Sequence, residues 1–435
     1  MREGKMAEKV ERKERKPELR FKGFDGEWEE EKFSSVFSYL QNNTFSRAEL
    51  TSDTGFAKNV HYGDVLTKFG EVLDVENIDL PFTSNKDVVA KFSSSFLRDK
   101  DVVIADTAED ETVGKCCELK GVRDDIVLSG LHTIPCRPNQ TFSSGYLGYY
   151  LNSPAYHSQL LPLMQGTKVT SISKNALGDT EILYPATSDE QGKISSVFSL
   201  LTLIITHHQH KYDQLQNLKK AMLEKMFPRD GADVPEIRFK GFEGAWDLKG
   251  FDVLTYPAGE KNRDNLPLES YSISNEKGFV PQDEQFENGG VMHDADKRMY
   301  YIVQPQSFAY NPARINVGSI GYSDLDKPVI VSSLYEVFKT TSEVDDRFLW
   351  YWFKSTSFQK KIEEFQEGGV RLYFYYDKLC MCSLPLPNIG EQKAIGTYFQ
   401  NLDNLISHQQ KKLEHLKHLK AALLDKMFVS DGATA

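Results

Sequence analysis

The sequence predicts an α+β protein in which two similar globular domains are separated by a pair of long antiparallel coiled-coil helices, internally duplicated in the order A-B-A-B. Three observations carry this reading. First, 435 residues are enough for two to four domains at roughly 150 residues each. Second, the phrase from Pro17, PELRFKGFDGEWEEEKFSSVF, returns 218 residues later from Pro235 as PEIRFKGFEGAWDLKGFDVLT. Third, the segment from Val197, VFSLLTLIITHHQHKYDQLQNLKKAMLEKMFPRDG, returns 201 residues later from Tyr398 as YFQNLDNLISHQQKKLEHLKHLKAALLDKMFVSDG. Duplication at such offsets decides the architecture before any local element does.

In chain order the expected parts are a charged flexible tail at 1–16, a first globule at 17–187 and a spacer helix at 188–231. A second globule at 232–389 and a second spacer helix with its tail at 390–435 complete the chain. The tail is mixed in charge and lacks aromatic residues, the composition of an unpacked extension. Within the globules, short β-branched runs bounded by turn residues read as strands: Val102 to Ala105, Ile126 to Leu128, Glu181 to Leu183, Ile315 to Gly321 and Val329 to Ser332. Gly145 to Leu161 and Phe348 to Phe365 carry large apolar residues at helical spacing. Strands mixed with helices in this way indicate α+β, not a doubly wound parallel sheet.

The two terminal segments read as heptads. With Ile194 at position a, the first seam runs Ile194, Val197, Leu201, Ile204, His208, Lys211, Leu215, Leu218, Met222. The second runs Ile395, Tyr398, Leu402, Leu405, Gln409, Lys412, Leu416, Leu419, Leu423. Neither Pro nor Gly interrupts residues 194–227 or 397–428, and about 35 helical residues make a rod of roughly 50 Å. A helix so long needs a partner. Its own copy is the natural one, with His208 and Gln409 as a polar layer that helps set register.

Composition narrows the function classes. The net charge is −11, with −9 in residues 17–187 and −7 in residues 232–389, so no domain is basic. DNA binding would therefore need local basic faces or a partner that supplies positive field. The longest apolar stretch, Val197 to Ile205, is less than half the roughly 20 residues a membrane span requires. No secretory h-region follows the charged start, so no membrane partner and a cytoplasmic location are expected. Cys116, Cys117, Cys136, Cys380 and Cys382 lack metal or redox spacing and read as reduced structural thiols.

Catalytic motifs are lacking. Neither NPP nor DPP occurs, as a base methyltransferase would require. No Gly-Lys pair is followed by Ser or Thr, which excludes a P-loop. Asp106, Glu118 and Lys120 suggest at most a metal-dependent nuclease. His207, His208 and His210 lie on several faces of a helix, where a solvated or coiled-coil role outweighs a metal site.

Two related globules held apart by a stiff spacer suit a protein that reads two separated patches of something long. Specific residues then sharpen this. They are the paired RFKGFxGxW phrases at Arg20 and Arg238, Val60-His61-Tyr62-Gly63-Asp64, and Leu97 to Ile104. To these add Tyr310-Asn311-Pro312-Ala313-Arg314 to Gly318, and Leu384-Pro385-Leu386-Pro387 running into Glu391-Gln392-Lys393. On these the chain resembles the specificity subunit of type I restriction-modification enzymes over nearly all of residues 17–428. The first half departs from the last motif, with Ile182-Leu183-Tyr184-Pro185 and Asp189-Glu190-Gln191, which suggests a differently built junction.

The resemblance implies two target-recognition domains, each reading half of a bipartite asymmetric DNA target, and no catalysis by this chain. It implies double-stranded DNA, modification (methyltransferase) subunits and restriction (translocase and nuclease) subunits as partners. It places S-adenosylmethionine, ATP and Mg on those partners, with no cofactor or metal on this chain. Base readout favours Arg, Lys, Asn and Gln on exposed loops. The candidates in the first globule are Asn42, Asn43, Thr44, Ser46, Arg47, Lys68 and Lys168 in the loop Gly166-Thr167-Lys168. In the second they are Lys261, Asn262, Arg263, Asn311, Arg314, and Arg371 and Tyr373 in the loop from Gly368. The alternative reading is a coiled-coil scaffold that touches no DNA; its sign would be apolar, uncharged surfaces at these loops.

Overall fold

A computed structural model describes residues 14–229, 231–275, 277–285, 296–368 and 372–429. The chain divides into two compact units, residues 1–208 with 412–435 and residues 209–411. Four helices matter below: α1 (Tyr146–Leu151), α2 (Ser188–Lys225), α3 (Asp346–Trp352) and α4 (Ile389–Lys426). Each unit holds one globule, part of α2 and part of α4.

The first globule is built on a five-stranded sheet in the order Phe37–Tyr39, Thr133–Pro138, Val102–Ala105, Cys116–Lys120, Val72–Asp74. Strand alternation explains why Val102 to Ala105 is apolar throughout. Val102 and Ile104 enter one core with Phe33, Ile134 and Tyr146, while Val103 and Ala105 enter another with Leu73, Leu97 and Leu119. The second globule repeats the first four places of this order with Thr255–Pro257, Glu336–Thr340, Phe308–Tyr310 and Ile320–Tyr322. Phe308 and Tyr310 face one core, and Ala309 faces a second formed with Val329 and Val331. Both globules are α+β, as expected.

Local expectations needed revision where capping intervened. Gly145 to Leu161 is two short helices, because Ser153 caps a new one at Pro154. Phe348 to Phe365 likewise breaks where Ser355 caps Thr356–Phe365. Ile315–Val317 is a 3-10 turn ended by Gly318 at φ 90°, and the strand begins only at Ile320. At the end of the expected tail, the Arg15 carbonyl accepts the Trp28 N–H at 2.8 Å and its guanidinium pairs with Glu27 and Glu30. Residues 1–13 of that tail lie outside the described residues.

The repeated phrases are clasps for the long helices. Arg20 donates from Nε and Nη2 to the Glu190 carboxylate at 2.7 and 2.9 Å and from Nη1 to the Gly26 carbonyl at 2.6 Å. Arg238 does the same to Glu391 at 2.7 and 2.7 Å and to Gly244 at 2.6 Å. Gly26 and Gly244 both sit at φ 85°, a conformation glycine adopts without cost. The next residues, Gln191 and Gln392, bridge too. Gln191 accepts from Ser143 N and donates to the Pro185 carbonyl; Gln392 accepts from Asp345 N and donates to the Pro387 carbonyl. The first junction, expected to differ, is therefore built like the second. Matching two-stranded ladders confirm it, Glu29–Lys32 with Glu181–Tyr184 and Asp247–Gly250 with Ser383–Leu386.

Each globule is closed by the end of the helix that is not its own continuation. In the first unit the Leu19 N–H donates to the Lys426 carbonyl, and Phe428 meets Trp28, Tyr146, Tyr150 and Phe198 with ring centroids 5.5 to 6.4 Å apart. In the second the Ile237 N–H donates to the Lys225 carbonyl, and Phe227 meets Trp246, Phe348 and Phe399. Within each unit the two helix segments run antiparallel, since Glu190 and Lys426 both meet the first phrase and Glu391 and Lys225 both meet the second.

The buried seam departs from the expected phase by one residue at alternate positions. Phe198, Phe399, Leu413, Met226 and Met427 are buried, whereas Lys211, Leu218, Leu405, Lys412 and Leu419 are exposed. Adjacent apolar pairs such as Val197-Phe198 leave the phase open in sequence. Docking resolves it: Phe198 packs on Tyr149 and Phe399 on Tyr351, at 5.3 and 5.0 Å. His208 and Gln409 fall next to the boundaries of the two units. All five cysteines are free, four of them buried.

Candidate nucleic-acid interface

In the first globule the candidates of residues 42–47 lie on one loop, tied to the Gly130 turn and to Asp64. Asn43 is buried; its Oδ1 accepts the Phe45 N–H and the Asn59 amide, and its own N–H donates to the Ser129 carbonyl. It shapes the loop from inside and, being buried, presents no edge to DNA. Asn42 is half-buried against the Gly130 carbonyl. Thr44 is exposed, and Ser46 caps the turn Arg47–Glu49, with the Glu49 carboxylate accepting from both its N–H and its hydroxyl. Arg47 is exposed and pairs with Asp64 at 2.5 Å. Lys68 ends the short helix Tyr62–Thr67 and donates to the Asp79 carbonyl, leaving most of its chain in solvent.

Ring contacts extend this loop into a rim. His61 lies on Tyr62 at 4.7 Å, Tyr62 on His132 at 5.3 Å, and the His132 Nδ1 faces the Asp106 carboxylate at 3.4 Å. Burial, followed by the Arg47 charge, lowers the His61 pKa. The loop of Lys168 springs from the same place as a tight hairpin: Gln165 and Ser171 exchange backbone hydrogen bonds, Gly166 turns at φ 120°, and Ile172 N–H donates to the Asp106 carbonyl. A Cβ on Gly166 would lie 1.9 Å from the Val169 carbonyl oxygen. Lys168 stands exposed at the tip.

In the second globule the candidates form two groups on different sheets. Asn311, Arg314 and Tyr373 sit together, because the Phe374 N–H donates to the Pro312 carbonyl and Glu367 and Tyr373 close a hairpin equivalent to the first. Asn311 fixes its own turn by accepting from Ala313 N; Arg314 is exposed; Tyr373 is half-buried and stacks on Tyr375 at 5.5 Å. Arg371 lies outside the described residues. Lys261 lies on the strand Glu260–Lys261, its ammonium 3.6 Å from the Tyr301 ring centroid and hydrogen-bonded to the Met299 carbonyl. Arg263 beside it is exposed. Asn262 is buried and binds the Leu266 backbone through both ends of its amide, so it too presents no edge to DNA.

The proposed nuclease residues do not converge. Asp106 faces His132. Lys120 pairs with Asp74. Glu118 accepts from Gly145 and Gly148 N–H at the start of α1, and burial pushes its carboxyl up to about 7. Among the described residues no three His, Cys, Asp or Glu side chains form a metal site, and no helix is long and apolar enough to cross a membrane.

A family model for the type I restriction modification DNA specificity domain matches residues 298–418. The type I restriction enzyme MjaVIII specificity subunit of Methanocaldococcus jannaschii is 29% identical over 307 residues, covering 66% of this chain and 70% of its own. A putative MjaX specificity subunit from the same organism is 23% identical over 384 residues, covering 83% and 82%. Residues 298–418 thus match the family's DNA specificity domain, and over most of its length the chain is similar to type I restriction-modification specificity subunits. The fold is similar to that of the S subunit of M. genitalium, with a TM-score of 0.53 at 14% identity over 95% of this chain and 99% of that one.

For a chain similar to specificity subunits the rim composition is informative. The scaffold alternative calls for apolar, uncharged loops, whereas Thr44, Ser46, Arg47, Lys68, Lys168, Arg263 and Arg314 are exposed and polar. Sequence reasoning did not single out His132 or Tyr62 for the rim, since only the turn and the ring contacts bring them there. The one sequence signal was that His61 and Tyr62 stand inside a motif already noted.

Proposed function

We propose that this specificity subunit is the non-catalytic reader of a bipartite, asymmetric double-stranded DNA target. The globule of each unit takes one half-site through its exposed loop rim. The observation that carries the proposal is the duplicated globule whose framework repeats while its rim residues differ. Repeated clasps and matching sheets give both globules one way of presenting loops, and unlike loops read unlike sequences. On this reading the subunit works in the cytoplasm and directs a modification subunit, with S-adenosylmethionine, to methylate adenine. It equally directs a restriction subunit that uses ATP and Mg. The acidic charge of both globules fits a complex in which partner subunits supply much of the phosphate contact.

The test is co-expression with the modification subunit and mapping of methylated adenines across a genome. A split, asymmetric motif is expected, and exchanging residues 17–187 for those of another specificity subunit should change one half only. A continuous motif, or a change in both halves, overturns the proposal.

A further inference from the structure

The framework of the two globules can be superposed row by row. Tyr39 pairs with Cys136, which pairs with Val102; Pro257 pairs with Phe338, which pairs with Phe308. Tyr39 and Pro257 are 218 residues apart, the offset of the repeated phrase, so these rows are equivalent. The first ladder ends at Thr133 opposite Ala105 and the second at Glu336 opposite Tyr310. One row further, the Asp106 N–H donates to the His132 carbonyl, and by the same count the equivalent positions of the second globule are Leu334 and Pro312. Both positions adjoin their hairpins in the same way, since Ile172 donates to the Asp106 carbonyl at 2.9 Å and Phe374 to the Pro312 carbonyl at 3.0 Å.

The frameworks agree here and the chemistry does not. In the first globule the turn carries an imidazole beside a carboxylate; in the second the equivalent positions hold leucine and proline. His132 is held at φ 53°, a region uncommon for non-glycine residues. The surrounding turn maintains it: Thr133 Oγ1 donates to the Gly130 carbonyl at 2.5 Å and lies 2.6 Å from Ser129 Oγ, and the Asp106 N–H donates to the His132 carbonyl. Backbone strain of this kind concentrates at functional positions. The Nδ1 edge of the ring faces Asp106 and Thr107 at 3.4 and 3.5 Å, the ring rests edge-on to Tyr62, and the side chain is 48% exposed. This orientation leaves the Nε2 edge for an external partner. Leu334 is 73% exposed. A single exposed leucine is ordinary; Leu334 stands out because, row for row, it holds in the second framework the place that His132 holds in the first.

We propose that this turn is a base-reading position in both globules. His132 exchanges a hydrogen bond with a base edge in one half-site, and Leu334 packs on the C5-methyl of thymine in the other, the two chemistries by which major-groove edges are distinguished. The inference rests on the bipartite reading above and adds to it the residues that make the halves unlike.

The experiment is methylation mapping with the co-expressed modification subunit, comparing wild type, His132→Ala, His132→Asn and Leu334→Gln. Asparagine tolerates positive φ, so H132N keeps the turn if alanine disturbs it. Both His132 variants should relax one or two base positions in one half-site, with discrimination falling about tenfold and the other half unchanged. L334Q should relax an A·T position in the other half only. Uniformly lower methylation with base preference intact identifies a backbone or structural role and overturns the inference. An unchanged motif in all variants overturns it as well. A wild-type chain that directs no split motif refutes the bipartite reading itself, and this inference with it.

Discussion

Phe428 is the sharpest point at which to test how each unit is held together. It is 2% exposed and lies among Trp28, Tyr146, Tyr150 and Phe198, although more than 200 residues separate it from any of them in sequence. Phe428→Ala removes a ring from a site whose walls belong to a strand-bound segment and two helices, so little collapse can follow. Truncation of a buried phenylalanine costs about 3–5 kcal/mol, and four ring contacts argue for the upper part of that range. A loss of about 4 kcal/mol is on the order of a thousandfold in the opening equilibrium. Native-state hydrogen exchange reads this locally. Amides of Val102–Ala105 in the first unit should lose about that much protection, while those of Phe308–Tyr310 in the second lose little. A change below tenfold in the first unit, or equal losses in both, would refute the assignment of Phe428 as the closure of the first globule.

Other perturbations follow from the same packing. Arg238→Ala strands the Glu391 carboxylate, which is fully buried, and should cost about 3–5 kcal/mol in urea unfolding; Arg238→Lys should recover little, because one ammonium cannot reproduce the two-pronged pairing. Glu118 holds its proton more tightly folded than unfolded, about 7 against 4.5. Its contribution is therefore present in full below about pH 4.5 and is lost as pH rises to 7, on the order of 3 kcal/mol in all. Glu118→Gln should flatten that part of the stability profile of the first unit, and an unaltered slope would count against the buried carboxyl as its source. Gly148→Ala would set a Cβ 2.1 Å from the Glu71 carbonyl oxygen. It should lower thermal stability by about 1–3 kcal/mol, whereas an unchanged melting temperature would show that α1 can move away from its strand.

Much of this protein is written in its sequence because duplication and helix length are one-dimensional properties. The two phrases, the two long uninterrupted helices and the α+β character of the globules need only spacing and composition to be read, and the resemblance rested on motifs carried by the same segments. Several site expectations were legible only as residue types. Asn43 and Asn262 have the side chains suited to base readout, yet burial turned both into loop ties. Glu118 looked like a carboxylate of a metal-dependent nuclease site and serves instead to cap α1.

What the tertiary structure alone decided shares one physical reason, namely that it depends on contacts between residues far apart in the chain. Heptad phase is ambiguous wherever two apolar residues are adjacent, and the aromatic rings of Tyr149 and Tyr351 selected Phe198 and Phe399. The repeated arginines were visible as a motif, but their role as clasps requires Glu190 and Glu391, 170 and 153 residues away. His132 carried no signal at all in the sequence, because a positive φ and a neighbouring carboxylate exist only once its strand has paired. Local pattern determined which elements form; long-range packing determined which faces they bury and which side chains they leave for DNA.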